Sequence, residues 1–312
     1  MRIVLKNLMK RKLIAQGAGG FTFYVPKKWV DSRGLGAGDE IEIEEIGNNL
    51  VVSSFVKDEK EIVLSFKDSE MAQVSASITH IYRLGYGKII VKGSSKILRI
   101  VNSKVLPLLM GFEITSKGSK KIVLENLSEP SEQKFEIMLR RVFFILKEMH
   151  ERNSQELIRD KLEEDLDDLR LQLDRICYFL KRSLSRKLVQ LEMPQIYWEL
   201  LTYLMAIGHG QYYLLVYMKN EHVPRTTRVD AQKYLEKVGN YFDLLSDALY
   251  KKDVGAISKI NSLKKTLVFE EADALIASKT KGSPLLSKIQ YVARMIQLCS
   301  GSVYYLLLDL KK

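Results

Sequence analysis

The chain has 312 residues with a formal net charge of +11, 46% of them hydrophobic and 28% charged. That length supports two or three domains with proper cores, and the composition excludes an intrinsically disordered chain. No run of eighteen apolar residues occurs, and the opening MRIVLKNLMKRKL is too short and too interrupted by charge for a secretory leader, so the expected location is cytoplasmic with no membrane insertion.

The charge is unevenly placed. Residues 1–33 hold eight bases (Arg2, Lys6, Lys10, Arg11, Lys12, Lys27, Lys28, Arg33) against Asp31 alone, whereas residues 34–56 hold five acids and no base. Excess positive charge points to a polyanionic partner. Within this stretch, GAGGFTFYV alternates Phe21, Phe23 and Val25 on one face, and GDEIEIEEIG alternates Ile41 and Ile43 against glutamates. Another short strand, NNLVV, is expected after the turn Gly47-Asn48-Asn49. The glycines fit no nucleotide loop, because the third glycine or the Lys-Ser/Thr pair is missing and a strand follows. They serve instead to turn the backbone between strands, where positive φ is cheap only without a Cβ, and Pro26 ends the strand because it cannot donate to a ladder. A module of about 50 residues with so little helix cannot enclose its own core, so a second chain is expected to complete it.

From residue 57 to 128 the period changes to β-α-β-α-β-β. IVLSF is a strand, Asp68 or Ser69 caps a helix to Gly85, and KIIVK is a strand. Ser95 opens a helix to Gly111, and FEITS and KKIVLEN follow as strands. No catalytic cluster falls in this small α/β domain. Residues 129–312 carry apolar positions at three- and four-residue spacing, giving helices near 131–152, 154–188 with Ser154 as cap, 194–219, 226–251, 253–280 and 283–311. Six such helices with short connections predict an antiparallel bundle that divides into two sets of three. Cys177 and Cys299 lie in apolar helical surroundings with no C-x-x-C pair and are expected to be buried reduced thiols.

The string RKLIAQGAGGFTFYVPKKWVDSRGLGAGDEIEIEEIGNNLVV resembles the SpoVT/AbrB family, a swapped-hairpin DNA-binding module in which two chains exchange hairpins. The whole chain looks like the PhoU-type phosphate-uptake regulators that carry such an N-terminal module, an arrangement known mainly from archaea. LDRICYFLKRSL (173–184) is similar to that family's "V-D-R-L-x-F-L-x-x-R" helix, and LLTYLMAIGHGQYYL (200–214) lies where it reads "L-E-R-I-x-D-H". The resemblance implies an α+β fold with a 1–56 hairpin module, a 57–128 α/β domain and a 129–312 PhoU-like bundle. It also implies a dimeric, non-enzymatic regulator that binds DNA. Lys10, Arg11, Lys12, Lys27, Lys28 and Arg33 become the DNA-contacting candidates; Arg2 and Lys6 add to the field.

The departures from the family set further expectations. PhoU bundles often hold metal clusters through E-x-x-x-D pairs, but the matching positions here carry Arg170, Met205, His209 and Arg294, so no metal or other cofactor is expected. Glu163/Asp167 and Glu164/Asp168 keep the spacing and are read as a solvated acidic face of the second helix. His209 is read as a satisfied core histidine; His80, His150 and His222 are scattered. Val30 and Asp31 stand about where the AbrB pattern has arginines, which implies modest DNA affinity. Three readings stay open: a DNA-binding regulator of phosphate metabolism, an interaction protein that contacts a phosphate-transporter ATPase or another regulator without touching DNA, and a DNA-organising architectural protein. No nucleophile–base pair or nucleotide loop supports an enzyme.

Overall fold

The computed structural model describes residues 10–17, 19–46, 49–54, 60–67, 70–128, 132–163, 165–189, 191–279 and 281–309. Arg2, Lys6, the Gly47-Asn48 turn, the proposed cap at Asp68 or Ser69, and Glu164 lie outside them. The fold is α+β, with small strand pairs at the N-terminal end and a helical C-terminal region. Residues 1–58 and 59–312 form two compact units.

In the first unit, β1 (Ile14–Gln16) and β2 (Gly20–Thr22) pair antiparallel, Ile14 opposite Thr22 and Gln16 opposite Gly20. Gly17 at φ +65° and Gly19 at φ +110° occupy the turn, so the glycines do supply a backbone that a side chain would strain. The second strand is shorter than FTFYV, because Phe23–Val25 leave the ladder and Pro26 precedes the short helix α1 (Lys27–Ser32). β3 (Ile41–Ile46) and β4 (Asn49–Ser54) form a second antiparallel pair, from Ile41 opposite Ser54 to Ile46 opposite Asn49. None of the described residues from 10 to 54 whose exposure is assigned is buried.

The second unit begins with a four-stranded sheet ordered β5 (Glu61–Ser65), β6 (Lys88–Lys92), β8 (Lys121–Asn126), β7 (Phe112–Lys117). β5 and β6 run parallel across helix α2 (Met71–Arg83), and the other two pairings are antiparallel. In α2, Val74, Ile78 and Tyr82 recur every fourth residue and make one apolar stripe, which packs in a common core with Ile89, Val91, Ile122 and Leu124 of the sheet. Ser94 caps α3 (Ser95–Ile100), its hydroxyl accepting from the Ile97 N–H at 3.5 Å. The helical path continues through a π turn, Val101–Val105, and a 3-10 turn, Leu106–Leu108, where Pro107 stops it short of Gly111.

The remaining helices are α4 (Glu132–Ile158), α5 (Asp167–Ser185), α6 (Pro194–Asn220), α7 (Arg225–Lys251), α8 (Val254–Leu263), α9 (Glu271–Ala277) and α10 (Ser283–Asp309). A π turn over Lys264–Glu270 joins α8 to α9, so the expected helix 253–280 is one helical path with a widened middle. The break expected before Ser154 does not occur, and α4 runs on to Ile158. Its reason is visible two residues after Ser154: the fully buried Glu156 carboxylate accepts from Arg159 Nη1 at 2.8 Å and from the Glu163 backbone N–H at 2.9 Å. Those bonds fix a turn after Arg159 instead of at 152–154. Asn153 meanwhile points inward and donates to the Gln211 carbonyl at 3.0 Å, tying α4 to α6.

Arg182 of α5 is 1% exposed and binds the two parts of this unit together. Its Nη1 donates to the Tyr82 and Tyr86 carbonyls at 3.1 and 2.7 Å, and its guanidinium lies over the Tyr82 and Phe112 rings. A cation at the carboxyl end of α2 is where the helix macrodipole favours one. Phe179, one turn earlier, belongs to the core of the α/β segment. The α/β segment and the helices are therefore continuous in packing as well as in chain.

Candidate functional site

The six sequence-predicted contact residues all belong to the first unit. Lys10, Arg11, Lys12, Lys27 and Lys28 are exposed and Arg33 half-buried. Lys27 and Lys28 open α1 directly after Pro26, and Lys10, Arg11 and Lys12 form the run before β1. Lys10, Lys12, Lys27 and Lys28 make no ion pair among the described residues, so their charge is directed to solvent. Asp39, which begins the acidic stretch, is held by accepting from the Gly36 N–H at 2.7 Å, and Glu42 and Glu45 lie on β3. Around the same strands Leu13, Phe21, Tyr24, Ile43 and Leu50 are exposed, which is unusual for so many large apolar side chains in one small module.

The second unit contains a cleft of about 710 Å³ that sequence reasoning did not find. One wall is α2, the other α5, and the π and 3-10 turns at Ser103, Lys104 and Pro107 close one side. Asp174 lies at its floor, 4% exposed, bound to His209 Nε2 at 2.7 Å and to Arg170 Nε at 3.7 Å. Arg83 lies over the Tyr178 ring, its Cζ 4.7 Å from the centroid, and donates from Nε to the Thr79 carbonyl at 3.1 Å. Burial holds the Arg83 guanidinium below its ordinary pKa, and the same cause pushes the Tyr178 hydroxyl up to about 12, so it stays a neutral donor near pH 7. His80, at the rim, is also lowered, first by burial and then by Arg83.

His209 is satisfied, as its sequence surroundings suggested, but it is half-buried and its partner is an aspartate 35 positions away. Arg170 lies over Tyr212, 4.8 Å from the ring centroid, and pairs with Asp174, so its charge is met inside the chain. Among the described residues no three His, Cys, Asp or Glu side chains come together to hold a metal ion. Glu163 precedes the start of α5 at Asp167, so these two do not share a helical face as their spacing implied. Asp167 instead accepts from the Tyr212 hydroxyl at 2.8 Å. Cys177 and Cys299 are both buried and unbridged, and burial raises their thiol pKa well above the ordinary range, which makes them unreactive.

Among the described residues, no helix is long and apolar enough to cross a membrane. No protein-family model, no curated protein and no solved structure matches the chain.

Proposed function

We propose that the protein is a non-enzymatic DNA-binding regulator whose first unit carries the basic contact surface. The observation that supports this most is the set Lys10, Arg11, Lys12, Lys27, Lys28 and Arg33 next to β1 and α1, five of them exposed, with four lysines lacking any ion-pair partner among the described residues. A polyanion gives such a surface its counter-charge, and DNA offers a regular array of phosphates. The resemblance to swapped-hairpin modules adds the dimer, and the resemblance to PhoU-type regulators adds a helical bundle of two three-helix repeats as the sensing or partner-contacting part, in phosphate metabolism. A phosphate-transporter ATPase or another regulator is the protein partner of that reading.

Phosphate contacts position a protein and carry no sequence information, so binding through these residues is mainly electrostatic. Contacts from Arg11, Lys12, Lys27 and Lys28 of each of two chains, with Lys10 and Arg33 adding to the field, give about eight, and at roughly −0.9 per contact, with imperfect engagement, log K falls against log salt with a slope of about −4 to −7. Arg11→Ala with Lys12→Ala makes that slope shallower by about 2 to 4 and weakens binding to all sequences alike. Gel-shift titration over a salt series checks both values. The exposed Leu13, Phe21, Tyr24, Ile43 and Leu50 favour a second reading, in which the hairpins only dimerise the chain. An unchanged slope in the double variant establishes that reading and removes DNA from the function.

A further inference from the structure

The cleft between α2 and α5 has unequal unused capacity. Its acceptors are mostly engaged: Asp174 is held by His209 and Arg170, and Asp167 takes the Tyr212 hydroxyl. Asp168 stands in the first turn of α5, where the helix dipole already compensates a carboxylate. Its donors are not engaged. Neither terminal nitrogen of Arg83, nor the Lys104 ammonium, nor the Tyr178 hydroxyl has a hydrogen-bond or ion-pair partner among the described residues. Arg83 is moreover held in place, because its Cζ lies over the Tyr178 ring and its Nε is taken by the Thr79 carbonyl, which leaves the two terminal nitrogens for another acceptor. A guanidinium edge presented in this way matches the two oxygens of a carboxylate or phosphate. The volume of about 710 Å³ falls in the range of small-molecule sites, and the cleft lies where the α/β segment meets the helices, a common place for one.

We propose that this cleft binds a small molecule through an oxyanion, carboxylate or phosphate, seated on Arg83, Lys104 and the Tyr178 hydroxyl. Arg83 supplies the paired hydrogen bonds, Tyr178 a neutral donor, and Lys104 a flexible charge at the rim. The proposal stands apart from DNA binding, because every residue it uses lies in the second unit.

The test is calorimetric titration of the full chain with inorganic phosphate and, separately, with citrate, against sodium chloride at equal ionic strength. At least one oxyanion binds saturably where chloride does not, and which of the two binds tells a tetrahedral phosphate source from a carboxylate one. Arg83→Gln weakens that binding roughly 10- to 100-fold, the loss expected for hydrogen bonds to a charged group, and Lys104→Gln weakens it less. Tyr178→Phe, which keeps the ring under Arg83 and removes only the hydroxyl, weakens it by about fivefold and serves if Arg83→Gln does not fold. The Arg11→Ala, Lys12→Ala double variant binds as the parent does, which separates this site from the basic surface of the first unit. Chloride-like behaviour of both oxyanions overturns the proposal. Equal affinity in Tyr178→Phe and Lys104→Gln, or loss of binding only in the Arg11, Lys12 variant, overturns it as well.

Discussion

The two units solve the problem of burial in opposite ways. From residue 59 onward the chain buries a long apolar series, with Leu146, Leu173, Leu204, Leu235 and Ile289 at zero exposure, whereas no assigned residue between 10 and 54 is buried and Phe21 is 67% exposed. Exposed apolar area of this kind loses roughly 25 cal/mol for every Å² that stays in water. The exposed apolar residues of the first unit support the proposal that a second copy of the chain covers them. At micromolar concentration the full chain is expected to scatter light as at least twice its 35.9 kDa. Phe21→Asp with Leu50→Asp is expected to return it to the monomer mass while leaving its helical circular dichroism intact. A parent chain that stays monomeric breaks the comparison. The second unit, by contrast, is expected to keep its fold and a cooperative thermal transition when residues 1–58 are removed; an insoluble fragment would show that the two units are not independent.

Inside the second unit the largest single effect belongs to Arg182, where the α/β segment and the helices are tied. Arg182→Met keeps most of the side-chain volume but leaves the Tyr82 and Tyr86 carbonyls without their charged donor, at a distance from water. Two hydrogen bonds to a charged group, at about 1.5–3 kcal/mol each, set the expected loss at about 3–6 kcal/mol. Urea denaturation measures it as a lowered midpoint. A midpoint equal to the parent's would mean that the two parts are held by apolar contact alone.

His150 gives a pH-dependent version of the same test. It packs against Gly239 of α7, shares a hydrogen bond with the Leu235 backbone, and faces Asp243, which is itself paired with Lys147 at 2.6 Å. Burial lowers its pKa from 6.5 to about 4, outweighing the attraction of Asp243. The folded state thus holds the neutral ring, and protonation favours the unfolded chain. Its contribution is fully present above pH 6.5 and is lost as pH falls from 6.5 towards 4. At 1.36 kcal/mol per pH unit the loss approaches about 3 kcal/mol. His150→Gln is expected to flatten the stability curve over that interval, and an identical slope in parent and variant would remove the ring from the explanation.

How far the sequence predicts this architecture depends on how local the cause is. β5 and α2 follow from clean periods of two and four, as the Val74, Ile78, Tyr82 stripe shows, and β6 and β8 follow from short continuous apolar runs. The end of α4 does not, because Ser154 has the chemistry of a cap while the real determinant is the buried Glu156 and the bonds it makes downstream. The basic residues of the first unit are legible from a charge count alone. The cleft is not, since Arg83 meets Tyr178, and Arg182 meets Tyr86 96 positions away, only through the packing of two helices. Nothing in the local pattern of HIYRLGYG distinguishes Arg83 from an ordinary C-terminal helix cation. Asp174 and His209 stand within the two helical strings on which the PhoU-type resemblance rests, yet only their hydrogen bond shows what each does.

The smallest expected effect sharpens the contrast between crowded and open helix surfaces within one unit. Gly208 lies in α6 against α5 and α4, and a Cβ there would come 2.1 Å from Leu173 Cδ2 and 3.0 Å from Leu146 Cδ2. Both leucines are fully buried, so neither can swing away into solvent. Gly301 lies in α10, where among the described residues no atom beyond the neighbouring helix backbone comes within 4 Å of the equivalent position. Exchanging glycine for alanine in a helix interior gains about 0.5–1 kcal/mol through propensity. At Gly301 nothing opposes that gain, and Gly301→Ala is expected to be stabilising by that amount. At Gly208 overpacking costs about 1–3 kcal/mol, which exceeds the gain, and Gly208→Ala is expected to lower stability by about 1 kcal/mol. Parallel urea titrations of the two variants therefore give opposite signs. Stabilisation by both would mean that α5 and α6 can separate by more than an ångström without loss, and that the close approach of these helices at Gly208 is incidental to the fold.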